Sequence, residues 1–176
     1  MRSKQFAIVL ALLIAVTMAI SATTAHSTTT LQADAVLGDI KSRGARAVVD
    51  GLWADDEQWD TVMTNIAGGK AEWLDVAAAL HPGTDARASE MLDEAIFLAL
   101  KPAPVAVLRL LKDGVFDTNF ICSSNIGTDY SPKESRRFVR DRIKALAAVT
   151  ELDVAGARDR CLQGLRGALK ILAVSK

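Results

Sequence analysis

The sequence predicts an all-α protein: a single-domain stack of about seven antiparallel helices with a HEAT-like rhythm and one disulfide. Three observations predict it. The stretch from Asp85 to Asp113 holds two runs, Ala95 to Leu100 and Val105 to Leu111, with no continuous polar face. A helix apolar on all sides must be covered on all sides, so these two are expected at the centre with the remaining helices around them. Helix stops also recur. Ala79-Leu80-His81-Pro82 and Ala99-Leu100-Lys101-Pro102 stand 20 residues apart, and proline ends a helix because it lacks an N–H and restricts the residue before it. One helix per ~20 residues is the period of stacked helical hairpins such as HEAT repeats. Finally, no stretch alternates as a strand does; the nearest, Phe116 to Ile121, is too polar and isolated to form a sheet.

The chain begins with Arg2 and Lys4, continues in an apolar run from Phe6 to Ile20, and closes with the small residues Thr23-Thr24-Ala25. This is the three-part plan of a secretory signal peptide, with cleavage expected after Ala25. The run is short of the ~20 apolar residues that span a bilayer. The expected product is residues 26–176, one exported domain led by a flexible segment at 26–30, with no stable membrane insertion after cleavage.

The helices follow in order. Thr30 is expected to cap a helix from Leu31 to about Ser42, interrupted at Gly44 and continued from Ala45 to Trp53. Asp55 or Asp56 caps the next, through Ile66, with Trp59, Val62, Met63 and Ile66 as its apolar stripe and Gly68-Gly69 as its end. Ala71 to Leu80 follows, and Asp85 caps the first central helix. Val115 to Tyr130 reads as a loop pinned by Phe116, Phe120, Ile121 and Cys122. Ser131-Pro132-Lys133-Glu134 is a capping box with proline at the first helical position. It opens a helix to about Val149 with Phe138, Val139, Ile143 and Leu146 inward and Arg136, Arg137, Arg140 and Lys144 outward. A last helix carries Val154, Cys161, Leu165, Leu169 and Leu172 on one side.

Cys122 and Cys161 are the only cysteines. In an oxidising compartment they are expected to bridge, and closing a loop of ~40 residues is worth roughly 4 kcal/mol in the chain-entropy model. Charge is uneven. Residues 26–130 hold 8 basic and 16 acidic side chains, and residues 131–176 hold 11 and 5. The simplest expectation is that the two segments attract each other across the fold; the sharper one is that a charged patch faces a partner.

Enzyme signatures are sparse. The two histidines are His26 and His81, and the chain holds no HExxH, no zinc-type cysteine spacing, no EF-hand loop and no G-x-S-x-G. No cofactor or metal is expected. Glycosidases need only two carboxylates, and two clusters qualify by composition: Asp55, Asp56, Glu57 and Asp60, at a helix start, and Glu90, Asp93 and Glu94, read as the exposed strip of the first central helix. The arginine-rich helix has little aromatic interleaving, so no nucleic-acid partner is expected. The candidates for binding a protein partner are Trp53, Asp55, Asp56, Glu57, Trp59 and Asp60 around the acidic turn, and Arg136, Arg137 and Arg140 on the basic helix.

Gly44-Ala45-Arg46-Ala47-Val48-Val49, Trp73-Leu74-Asp75-Val76-Ala77, His81-Pro82-Gly83-Thr84-Asp85-Ala86 and Cys122 resemble a group of small exported helical proteins of Gram-negative bacteria. Some of these are similar in size and plan to periplasmic immunity proteins. The resemblance spans about Gly38 to Asn125 and carries no catalytic motif. It implies a stoichiometric, non-enzymatic binding role in the periplasm, as an immunity protein or inhibitor. The alternatives are a carboxylate-based envelope hydrolase or an envelope accessory factor.

Overall fold

The computed structural model describes residues 31–123 and 130–174. The expected signal peptide, the lead at 26–30 and the Thr30 cap lie outside the described residues. The described chain is all-helical: α1 (Ala33–Arg43), α2 (Ala45–Trp53), α3 (Asp56–Ala67), α4 (Ala71–Leu80), α5 (Ala86–Ala99), α6 (Pro104–Lys112), α7 (Thr118–Cys122), α8 (Pro132–Ala147) and α9 (Ala155–Val174), with 3-10 turns at His81–Gly83 and Leu152–Val154. Among the described residues nine helices stand in place of the expected seven or so, for two local reasons. Gly44 takes φ +85°, which breaks the ladder and separates α1 from α2. Five residues of the expected loop, Thr118–Cys122, are helical, with the Asp117 carboxylate accepting from Phe120 N at 2.8 Å.

Local signals place most of the other starts. Asp55 caps α3 by accepting from Gln58 N at 3.1 Å, and Asp85 caps α5 by accepting from Ala88 N at 3.1 Å. Ser131 and Glu134 form the reciprocal capping box of α8, Glu134 N donating to Ser131 Oγ and Ser131 N to the Glu134 carboxylate. Where the sequence suggests Thr30 for α1, the N-cap position is Gln32, which makes no side-chain capping bond.

The central position of α5 and α6 is what their apolar surfaces require. Leu92, Ala95, Ile96, Phe97, Ala99 and Leu100 are buried, as are Val107, Leu108 and Leu111. α5 packs against α3, α4 and α7, while α6 packs against α4, α8 and α9. The two thus join an amino-terminal group, α1 to α4, to a carboxy-terminal group, α7 to α9.

The carboxy-terminal group is tied by the Cys122–Cys161 disulfide, with Cα atoms 4.9 Å apart across a separation of 39 residues. Gly164, one turn on from Cys161, permits this approach. A Cβ there would stand 2.6 Å from the Cys122 carbonyl oxygen, so α7 rests on the bare backbone of α9.

A second tie is polar. Arg142 is buried, 3 % exposed, on the inward stripe of α8 with Ser135, Val139 and Leu146. Its guanidinium donates to the carbonyls of Phe97 (2.6 Å), Phe138 (2.9 Å) and Leu98 (3.3 Å) and stands 4.2 Å from the centre of the Phe97 ring. Phe97 and Leu98 carry the last carbonyls of α5, at the negative end of its dipole, where a cation is favoured. Burial pushes the guanidinium down to about 10, while Asp141 and Tyr130 pull it back, so it stays charged at neutral pH.

Candidate functional site

The acidic turn is less open than its composition suggests. Trp59, expected among the partner-binding residues, is 3 % exposed and belongs to the core. The reason is its place on the α3 stripe with Val62, Met63 and Ile66, against α5. Its indole N–H is, among the described residues, the one buried side-chain polar atom without a hydrogen-bond partner. Trp53 is half-buried, edge-on to Trp59 at 5.1 Å, with the Arg87 guanidinium 5.5 Å from its ring centre. Asp55 is exposed but occupied: its carboxylate accepts from Gln58 N and, at 2.6 Å, from the Gln58 side chain. These bonds hold its carboxyl below the usual range. Asp56, Glu57 and Asp60 face solvent, and among the described residues none is in an ion pair.

The basic helix divides in the same way. Arg136 is half-buried and donates to the Leu172 carbonyl at 2.9 Å, tying α8 to α9, so it is not a free surface cation. Arg137 is exposed, its guanidinium 5.5 Å from the Phe138 ring, and Arg140 is exposed with no ion pair among the described residues. Arg142 escaped the sequence reading among these neighbours, although its spacing from Val139 and Leu146 sets it on the inward stripe.

Among the described residues, no ion pair joins an acid of the first segment to a base of the second. Arg43–Asp39, Arg46–Asp50, Arg46–Asp85 and Lys112–Asp113 lie within the first segment and Arg158–Asp159 within the second. The two pairs that cross, Lys101–Asp141 at 2.8 Å and Arg109–Asp153 at 3.4 Å, use the minority charge of each segment. Pairing therefore removes bases from the acidic segment and acids from the basic one. Each exposed pair contributes about 1 kcal/mol or less, but the surface it leaves is more polarised than the totals suggest.

An open groove of about 1050 Å³ lies elsewhere, between α5, α7 and α9. Asp93 and Ser89 line it from α5, His81 from the turn after α4, Phe116 and Asp117 from the segment before α7, Phe120 from α7 and Arg160 from α9. Asp93 corrects the expected exposed strip: it is 8 % exposed, while Glu90 is exposed and Glu94 half-buried. The cause is α7, unforeseen as a helix, which packs on α5. The one hydrogen bond to the Asp93 carboxylate among the described residues comes from Ser89 Oγ, at a long 3.5 Å. Burial raises the Asp93 carboxyl above the ordinary range; His81 and Ser89 lower it, and the Asp117 charge raises it further. The His81 ring sits edge-on to Phe116 at 4.6 Å.

A raised carboxyl is less acidic folded than unfolded. Burying it therefore costs nothing at pH values below the unfolded pKa and costs most above the folded one. Asp93→Asn should accordingly raise the melting temperature at pH 7, with the gain shrinking as pH falls through the carboxylate range. A melting curve unchanged at pH 7, or a gain that grows in acid, would contradict the buried-carboxylate account.

No group of three or more metal-ligating side chains occurs among the described residues, and no helix there is long and apolar enough to cross a membrane. The chain matches no protein-family model, and no curated protein or solved structure is detectably similar to it.

Proposed function

We propose that this protein is a non-enzymatic binding module of the periplasm that engages a protein partner stoichiometrically, in the manner of an immunity protein or inhibitor of a toxin or envelope-directed enzyme. The observation that carries the reading is the polarised surface. The crossing ion pairs consume minority charges, leaving Asp56, Glu57 and Asp60 outward on α3 and Arg137 and Arg140 outward on α8. Such patches steer and select charged partners. The disulfide supports an oxidising, exported address.

In-cell cross-linking of the tagged full chain tests it. The expected result is a discrete adduct with one partner, weakened by salt and lost in Asp56→Lys/Glu57→Lys or in Arg137→Glu/Arg140→Glu at unchanged melting temperature. No adduct, or one indifferent to both reversals, would overturn it.

One observation favours a second reading, a carboxylate-based hydrolase. Asp93 and Asp117 line the same groove, and one of them has a raised carboxyl. Against it, the Asp117 carboxylate is occupied as the cap of α7. Cleavage of envelope glycan by the wild type and not by Asp93→Asn would favour this second reading.

A further inference from the structure

Asp93 is a buried acid short of partners. More than nine-tenths of it is withdrawn from water, yet its carboxylate holds a single long hydrogen bond among the described residues. A carboxylate removed from water is costly unless it is paired and hydrogen-bonded. This one lines an open groove, so the missing pairing can come from outside.

The rest of the lining says what kind of group completes it. The Asp117 carboxylate also lines the groove but is occupied as the cap of α7, and His81 stands on the same lining, its charge acting on Asp93. One arginine, Arg160 of α9, also lines the groove; its side chain runs along its own helix, with Nη1 3.6 Å from where a Cβ on Gly156 would stand. Apolar surface stands at the rim, where Phe120 is 41 % exposed and Val115 half-buried. A buried, weakly bonded carboxylate beneath apolar surface is complementary to a side chain with an aliphatic stem and a cationic head. A volume of about 1050 Å³, open to solvent, is far more than one free side chain needs, which favours a polypeptide as the bearer.

We infer that the groove between α5, α7 and α9 receives an arginine or lysine side chain of a protein partner, its head on Asp93 and its stem against Phe120. The inference rests on the protein-binding reading above and locates a contact for it.

The test is amide-resolved NMR titration of the full chain with two probes, the peptides acetyl-Gly-Phe-Arg-Gly-amide and acetyl-Gly-Phe-Glu-Gly-amide. The arginine peptide should shift the amides of Ser89, Asp93, Thr118 and Phe120, and the glutamate peptide should leave them in place. Asp93→Asn, with its fold checked by melting, should weaken the arginine peptide about tenfold or more. Phe120→Ser, at an exposed position, should weaken it as well. Comparable shifts from both peptides, no shifts at millimolar peptide, or an affinity unchanged in Asp93→Asn would overturn the inference. The outcomes separate from those of the general reading. Peptide binding without a cross-linked partner keeps the cation site and removes the protein-binding function; a cross-linked partner without peptide binding does the reverse.

Discussion

Arg142→Ala should be the most damaging single substitution on α8, lowering stability by about 3 kcal/mol in denaturant unfolding. The guanidinium donates to the Phe97, Leu98 and Phe138 carbonyls, and its loss takes the shared donor from the buried end of α5. Those carbonyls are not left bare: Leu100 N donates to Phe97 O and Lys101 N to Leu98 O, both through long 3-10 bonds. The penalty is therefore less than that of fully orphaned groups. The aliphatic stem and the contact with the Phe97 ring are lost too. Arg142→Met keeps most of the stem and should cost about 2 kcal/mol, isolating the polar part. Arg142→Lys should fall short of wild type, because an ammonium cannot reproduce the planar fork that meets several carbonyls at once. Methionine and lysine variants both as stable as wild type would show that the α5 end is adequately satisfied by its own backbone. Exposed Arg140→Ala is the control and should be within about 0.5 kcal/mol of wild type.

Removing the disulfide should have a comparable effect with a different signature. Cys122→Ala/Cys161→Ala, or reduction of the wild type, should cost about 2–4 kcal/mol and lower the melting temperature by roughly 5–12 °C. Beyond the entropy of the 39-residue separation, the loss should be local. α7 is only five residues long and held on α9 by the bridge and by the approach that Gly164 permits. Hydrogen exchange should report it, with the amides of Thr118–Cys122 losing protection while those of α3 and α5 keep theirs. Because α7 carries Phe120 and follows Asp117, reduction should also weaken any ligand of the groove. Uniform loss of protection across the molecule would mean that α7 is an integral part of the cooperative core.

The buried groups behind these expectations differ in how far the sequence announces them. Asp55, Asp85 and Ser131 are announced by spacing alone, since a cap and its N–H lie within one turn. The core stripe of α3 and the places of Val139 and Leu146 on α8 are announced by the helical period, and the central place of the Ala95 to Leu100 run by the lack of a polar face. With two cysteines there is one pairing available, so the bridge needs no geometry to be named. Trp59 was within reach of the same logic, as a member of the α3 stripe.

Asp93 and Arg136 were not. Asp93 reads as part of an exposed strip because the strip is judged from α5 alone, and what buries it is α7, too short to show a period. Arg136 reads as a free surface charge, and what engages it is the Leu172 carbonyl, 36 residues away. The direction of the ion pairs is likewise invisible in the totals, because charge counts carry no distances. Short-range signals, meaning periodicity, capping residues and a unique cysteine pair, settle where helices begin, which faces turn inward and how the chain is stapled. The environment of a charged side chain belongs to whichever segment comes to lie on it, and that is a property of packing between helices distant in sequence. For that reason the helical stack could be read from the chain, while the groove, its buried acid and the arginine that clamps α5 emerged only once the helices were assembled.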